Sequence, residues 1–148
     1  NDFELEKDSE CRLVCSYLID DKNIAEIQSY NIPYTGKPVD IKGIRKSDRI
    51  WDPLDVESGY IGSGHLNMVL KIKVGSEDSK HIILPVLLDS DDKVILSFIH
   101  DAGEDKLHYT KKALVSIPLD GIGLQKNDTV FFTCHGYEED CNMKFVFR

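Results

Sequence analysis

The sequence has no long apolar run, a shortage of positive charge and a single tryptophan, and each shortage excludes something. A membrane-crossing helix needs about 20 consecutive apolar residues. Nothing here approaches that length, so no membrane insertion is expected. Lys and Arg number 18 against 26 Asp and Glu, a net charge of −8. Such a surface repels nucleic-acid phosphate and anionic lipid, which leaves no nucleic-acid partner and favours a basic protein. No catalytic or ligand-binding motif rises above chance spacing, so no cofactor and no catalytic residue is expected.

At 148 residues the chain has the size of one domain, able to bury roughly 68–70% of its unfolded surface in a single core. One β-rich domain over residues 1–148 is the expectation. The numbering opens on Asn1, the pattern left when a signal peptide or a longer leading stretch is removed. Four cysteines lie in two local pairs, Cys11 with Cys15 and Cys134 with Cys141. An even, clustered count suits the disulfides of a secreted or periplasmic protein.

The spacing of these pairs tests the local structure. On a strand, Cys11 and Cys15 would stand about 13 Å apart, beyond disulfide reach, whereas on a helix they would be about 6 Å apart and bondable. Cys134 and Cys141 flank a six-residue loop and are expected to bridge across a hairpin, closing a ring worth roughly 2.5 kcal/mol. A zinc site drawn from Cys11, Cys15, Cys134, His135 and Cys141 lacks the usual two-residue gap between paired cysteines, and no metal is expected.

From residue 66 onward the pattern is that of strands. Leu66, Met68, Leu70, Ile72 and Val74 alternate with polar neighbours, as on a half-buried strand. Residues 81–88 are apolar on both faces, with Pro85 implying an edge or a bulge. Turn residues 89–92 then lead into a strand through Val94, Leu96 and Phe98, so these two segments should form a hairpin. A further strand follows over 106–118, and residues 129–134 should pair with 142–147 around a loop at 135–140. The fold class expected is an antiparallel β-sandwich or barrel-like domain.

The first 65 residues are harder to read. Over residues 4–19 both readings stay open, with Cys11, Val14, Cys15 and Leu18 on a helical stripe and Cys11, Leu13, Cys15 and Tyr17 on a strand, the strand being preferred; Asn23 ahead of Ile24, Ala25, Ile27 and Gln28 predicts a short capped helix that Pro33 stops. Glycines and prolines through residues 36–64 predict a long irregular loop, of the kind that often carries function.

Candidate sites are weighed by residue chemistry. Trp51 follows the one basic cluster, Lys42, Arg45, Lys46 and Arg49, and Trp with Arg is the composition of interaction hot spots. Tyr60 and Tyr137 offer further aromatic contacts, and Glu138, Glu139 and Asp140 form an acidic turn suited to a basic target. His100, Asp101 and His108 could surround Ser97 or Ser116 only if the fold brought them together. Gly59 to Gly64 precedes a strand, so it lacks the context of a phosphate loop. Asn127-Asp128-Thr129 matches a glycosylation sequon.

The reading these residues favour is a non-enzymatic protein-binding module, in concrete form an inhibitor or toxin-neutralising immunity protein, with Trp51, Arg49, Tyr60, Tyr137, Glu138, Glu139 and Asp140 in contact. The alternatives are a small-ligand or carbohydrate-binding module, with or without calcium, and a structural subunit of a surface assembly.

Overall fold

The computed structural model describes residues 11–148, which divide into two compact units, one ending at Tyr34 and one running from Thr35 to Arg148. The first unit is an antiparallel hairpin of β1 (Val14–Ile19) and β2 (Ala25–Asn31). The helix expected over Asn23–Gln28 is therefore a strand. Asn23 is a turn residue rather than a helix cap: its φ of 61° is left-handed, a conformation asparagine tolerates. Asp20 organises that turn, its Oδ1 accepting the backbone N–H groups of Lys22 and Ile24 at 2.8 Å each. Once the turn reverses the chain, β-branched Ile27 pairs with Tyr17 on a ladder that a helix could not offer.

The second unit is the expected sandwich, with no closed barrel. Its strands are β3 (Val39–Asp40), β4 (Asp55–Gly62), β5 (His65–Val74), β6 (Ile82–Leu87), β7 (Val94–Asp101), β8 (Tyr109–Pro118), β9 (Thr129–Cys134) and β10 (Cys141–Val146). One sheet has the order β10-β9-β7-β6-β3 and the other β4-β5-β8. The expected hairpins β6–β7 and β9–β10 are both present. Two pairings are parallel, β3 with β6 and β7 with β9. Beyond Leu96, where β9 ends its contact, Trp51 takes over beside β7 through a parallel bridge to His100.

The alternation on β5 builds the core directly. Leu66, Met68, Leu70, Ile72 and Val74 are buried between the sheets against Leu96, Phe98, Val130 and Phe132, with Phe98 and Phe132 edge to face at 5.2 Å. Each such side chain contributes about 1.5–3 kcal/mol through removal of apolar surface from water. Pro85 costs little because β3 pairs with β6 only at Val86 and Leu87, so on that side the ladder ends beside the proline.

The irregular loop expected over residues 36–64 is corrected in its second half, which forms β4. Its pattern is hard to see because a bulge between Val56 and Ser58 shifts the register and interrupts the alternation. Ser63 and Gly64, both at positive φ (51° and 71°), make the two-residue turn into β5. The first half of the segment is irregular as expected, with short 3-10 turns at Ile41–Gly43 and Lys46–Asp48.

Candidate functional site

The β9–β10 loop is docked by four contacts, two at the start of β4 and two at Lys73 on β5. The Leu54 N–H donates to the His135 carbonyl at 2.9 Å, and the Tyr137 N–H donates to Asp55 Oδ1 at 3.1 Å. The Tyr137 hydroxyl oxygen accepts the Lys73 N–H at 2.7 Å, and the Lys73 ammonium lies 4.6 Å from the ring centre. Burial pushes the Tyr137 hydroxyl pKa up, against the opposing effect of that N–H. Gly136 makes the docking possible: a Cβ there would collide with the Glu139 carbonyl oxygen and lie 2.8 Å from Asp55 Oδ1.

The docked loop forms one wall of an open cleft of about 490 Å³, lined by Asp55, Val56, Lys71, Glu138, Glu139, Asp140, Cys141 and Asn142. Four carboxylates face one ammonium. Lys71 is also engaged by Glu57 at 3.5 Å, and Glu57 bonds Lys112 at 2.7 Å, so the cation is partly neutralised from outside the cleft. Asp140 accepts from or pairs with His135 Nδ1 at 2.8 Å, and Asp55 is held by the Tyr137 N–H. Glu138 and Glu139 are exposed and make no ion pair among the described residues. A negative, open concavity of this kind is suited to a lysine or arginine side chain from a partner.

Of the residues singled out from sequence, Glu138, Glu139 and Asp140 line this cleft and Tyr137 anchors its wall. Trp51, Arg49 and Tyr60 do not line it. Trp51 is half-buried and packs against Ile41, Val86 and Ile99. The Arg49 guanidinium turns back on its own loop, donating to the carbonyls of Ile41 (2.8 Å) and Ile44 (2.8 and 3.0 Å). Tyr60 projects from β4, 64% exposed. Asp55, Lys71 and Asn142 were not singled out, because only the fold brings these three strands to one edge.

The structure shows none of the expected disulfides. All four cysteines are free thiols, Cys11 and Cys15 exposed, Cys134 buried and Cys141 half-buried. Cys15 lies on β1 and Cys11 precedes that strand, where extended spacing exceeds disulfide reach. Cys134 and Cys141 do stand opposite each other on the β9–β10 ladder, as the hairpin reading required. Burial pushes the Cys134 thiol pKa up to about 12, with Cys141 and nearby carboxylates adding to it. The thiolate that would form a bond is therefore scarce. Burial also raises the Cys141 pKa, opposed by its hydrogen bond with Cys134.

Of the serine and histidine side chains weighed for a catalytic arrangement, Ser116 and His100 each have other partners. Ser116 Oγ donates to Asn67 Oδ1 at 2.8 Å, and His100 is buried with His81 and the Asp52 and Pro53 carbonyls as partners. Among the described residues no group of three or more His, Cys, Asp or Glu side chains is placed to hold a metal ion. None of their helices is long and apolar enough to cross a membrane.

Fold and cleft together define a two-sheet β-sandwich with an acidic concavity at the edge where β4 and β10 approach. Residues 37–146 match the NigD-like C-terminal beta sandwich domain, and the chain belongs to that family. Among solved structures it is similar to a NigD-like immunity protein from Bacteroides caccae, at 23% identity and a TM-score of 0.72 over 93% of this chain and 77% of that one. It is also similar to a toxin-related protein from Parabacteroides distasonis, at 19% identity and a TM-score of 0.71 over 93% and 73%. A third is a protein of unknown function from Bacteroides vulgatus, at 12% identity and a TM-score of 0.70 over 92% and 70%. None of the curated proteins matches.

Proposed function

We propose that this chain is a non-enzymatic, immunity-type binding protein whose acidic cleft receives a basic side chain of a protein partner. The observation that carries the reading is the cleft itself: Asp55, Glu138, Glu139 and Asp140 converge around a single lysine whose charge is shared with Glu57. The family and the immunity protein from B. caccae support the same class of partner. Charge at such a cleft speeds encounter and sets register, while the rigid loop wall, fixed by Gly136 and Tyr137, limits the ordering cost of binding. Occlusion of the partner's working surface is the mechanism proposed.

The test is capture of a stoichiometric protein from host extract by the full chain, compared with the Glu138→Lys/Glu139→Lys double variant. The expected result is a captured partner whose recovery falls at least tenfold with the double variant at unchanged Tm, and also falls with added salt. Equal capture by both forms would overturn the cleft as the binding site, and absence of any stoichiometric partner would overturn the protein-binding reading. A carbohydrate module is less well supported, because no aromatic side chain lines the cleft.

A further inference from the structure

A buried chain of hydrogen bonds runs across one end of the sandwich. His100 Nδ1 lies 3.0 Å from the carbonyl oxygens of both Asp52 and Pro53, His100 Nε2 lies 2.9 Å from His81 Nδ1, and His81 Nε2 lies 2.8 Å from Asp105 Oδ2. The His81 side chain is 1% exposed. We propose that His81 and His100 hold three protons between them in the folded protein, forming a buried cation clasped by Asp105.

The protons can be counted from the acceptors. Carbonyl oxygens only accept, so His100 Nδ1 must donate. At the far end Asp105 receives the N–H groups of Gly75 and Lys106 and the Ser79 hydroxyl, donors that hold it as a carboxylate, so His81 Nε2 must donate as well. The central His100–His81 bond needs one more proton. Two neutral imidazoles supply two protons for three bonds, so the third makes one ring an imidazolium. Asp105 lies against the His81 ring, which places the cation there, and a fourth proton would set two N–H groups against each other across the 2.9 Å His81–His100 contact.

The other charged groups around the pair are Asp52, whose carboxylate accepts the Ala102 N–H at 2.8 Å, and Asp101, whose carboxylate accepts the Gly103 N–H at 2.8 Å. Tyr109 faces Asp105 from β8, which helps to raise its hydroxyl pKa. The His100 Nδ1 bonds tie the segment at Asp52 and Pro53 to β7, next to the bridge between Trp51 and His100.

Linkage gives this arrangement a distinctive signature. In the unfolded chain each imidazole titrates near 6.5, so the pair carries about four protons well below that pH and two well above it. The folded pair keeps three. Above about 6.5 the folded state holds more protons, so stability falls as pH rises; below it the unfolded state holds more, so stability falls as pH drops. The pair's contribution is greatest near pH 6.5.

The experiment is ring-nitrogen NMR of the full chain at pH 8, with the other histidines as references. The expected spectrum has one buried ring protonated at both nitrogens and the other protonated at Nδ1 alone; two neutral buried rings would overturn the proposal. Thermal unfolding of the wild type and the His81→Gln variant from pH 5 to 9 gives a second readout. The wild-type advantage should hold level below about pH 6.5, where the variant's buried His100 refuses a proton in the same way, and shrink by several degrees above it, whereas a constant difference across the range would overturn it.

Discussion

Asp55 and Tyr137 lie 82 positions apart in sequence and are joined by one hydrogen bond, from the Tyr137 N–H to Asp55 Oδ1 at 3.1 Å. That bond couples the first residue of β4 to the loop that walls the acidic cleft. Because the acceptor is ionised, Asp55→Ala should cost about 1.5–3 kcal/mol and lower the Tm, as read by thermal unfolding at neutral pH.

Gly136→Ala should be more damaging than an ordinary loop substitution. The added methyl meets the Glu139 backbone and the Asp55 carboxylate, neither of which can withdraw without breaking the docked loop. A Tm unchanged within error would show that the loop has room the structure does not give it.

Leu70 is fully buried on β5, the central strand of its sheet. Leu70→Ala should destabilise by about 2–5 kcal/mol, through lost transfer energy and the cavity left behind. Urea unfolding measures this directly, and the midpoint should shift with little change in slope.

Alkylation at pH 8 under native conditions should label Cys11 and Cys15 well before Cys134. Exposure opens the first two to the reagent, while burial keeps Cys134 protonated with a pKa of about 12. Denaturation before labelling should make all four cysteines reactive, which peptide mass spectrometry would show.

Asp105 is held well below the usual carboxylate range, first by its bond to His81 and then by the Ser79 hydroxyl and the Gly75 and Lys106 N–H groups. A depressed pKa stabilises the fold above the ordinary aspartate value of 3.8, and that stability is lost as pH falls below it. Thermal unfolding between pH 5 and 2.5 should therefore fall more steeply for the wild type than for Asp105→Asn.

Much of the second unit and its core was legible because strand alternation is local. Leu66 to Val74 reads correctly from five residues at spacing two, and the last hairpin reads from two such runs around a polar loop. The misread elements each hide a two-residue signal inside another pattern. Asn23 before an apolar run resembles a helix cap, and only the pairing of β2 with β1 makes it a turn. On β4 the bulge after Val56 breaks the alternation, so an eight-residue strand looked irregular. In the site, Glu138 to Asp140 were visible as an acidic turn. Asp55 and Lys71 were not, since they join it only when β4, β5 and β10 meet. His100 was visible only as a possible partner of a serine, and its pairing with His81 was not legible, because nothing local marks one buried imidazole as the partner of another.

The parallel neighbours β7 and β9 carry a consequence for how the chain reaches this fold. β8 leaves for the opposite sheet between them, so β7 completes one flank only after the chain has crossed the sandwich and returned. The other end of that flank waits for Trp51, 49 positions before its bridge partner His100. Contacts this distant in sequence demand closure of long loops before any pairing energy is recovered, which places folding on the millisecond-to-second timescale of sandwiches. During that interval β7, the most deeply buried strand of its sheet once folded, has an open edge along residues 94–100, and it is there that premature pairing with another chain would divert newly made protein into aggregates.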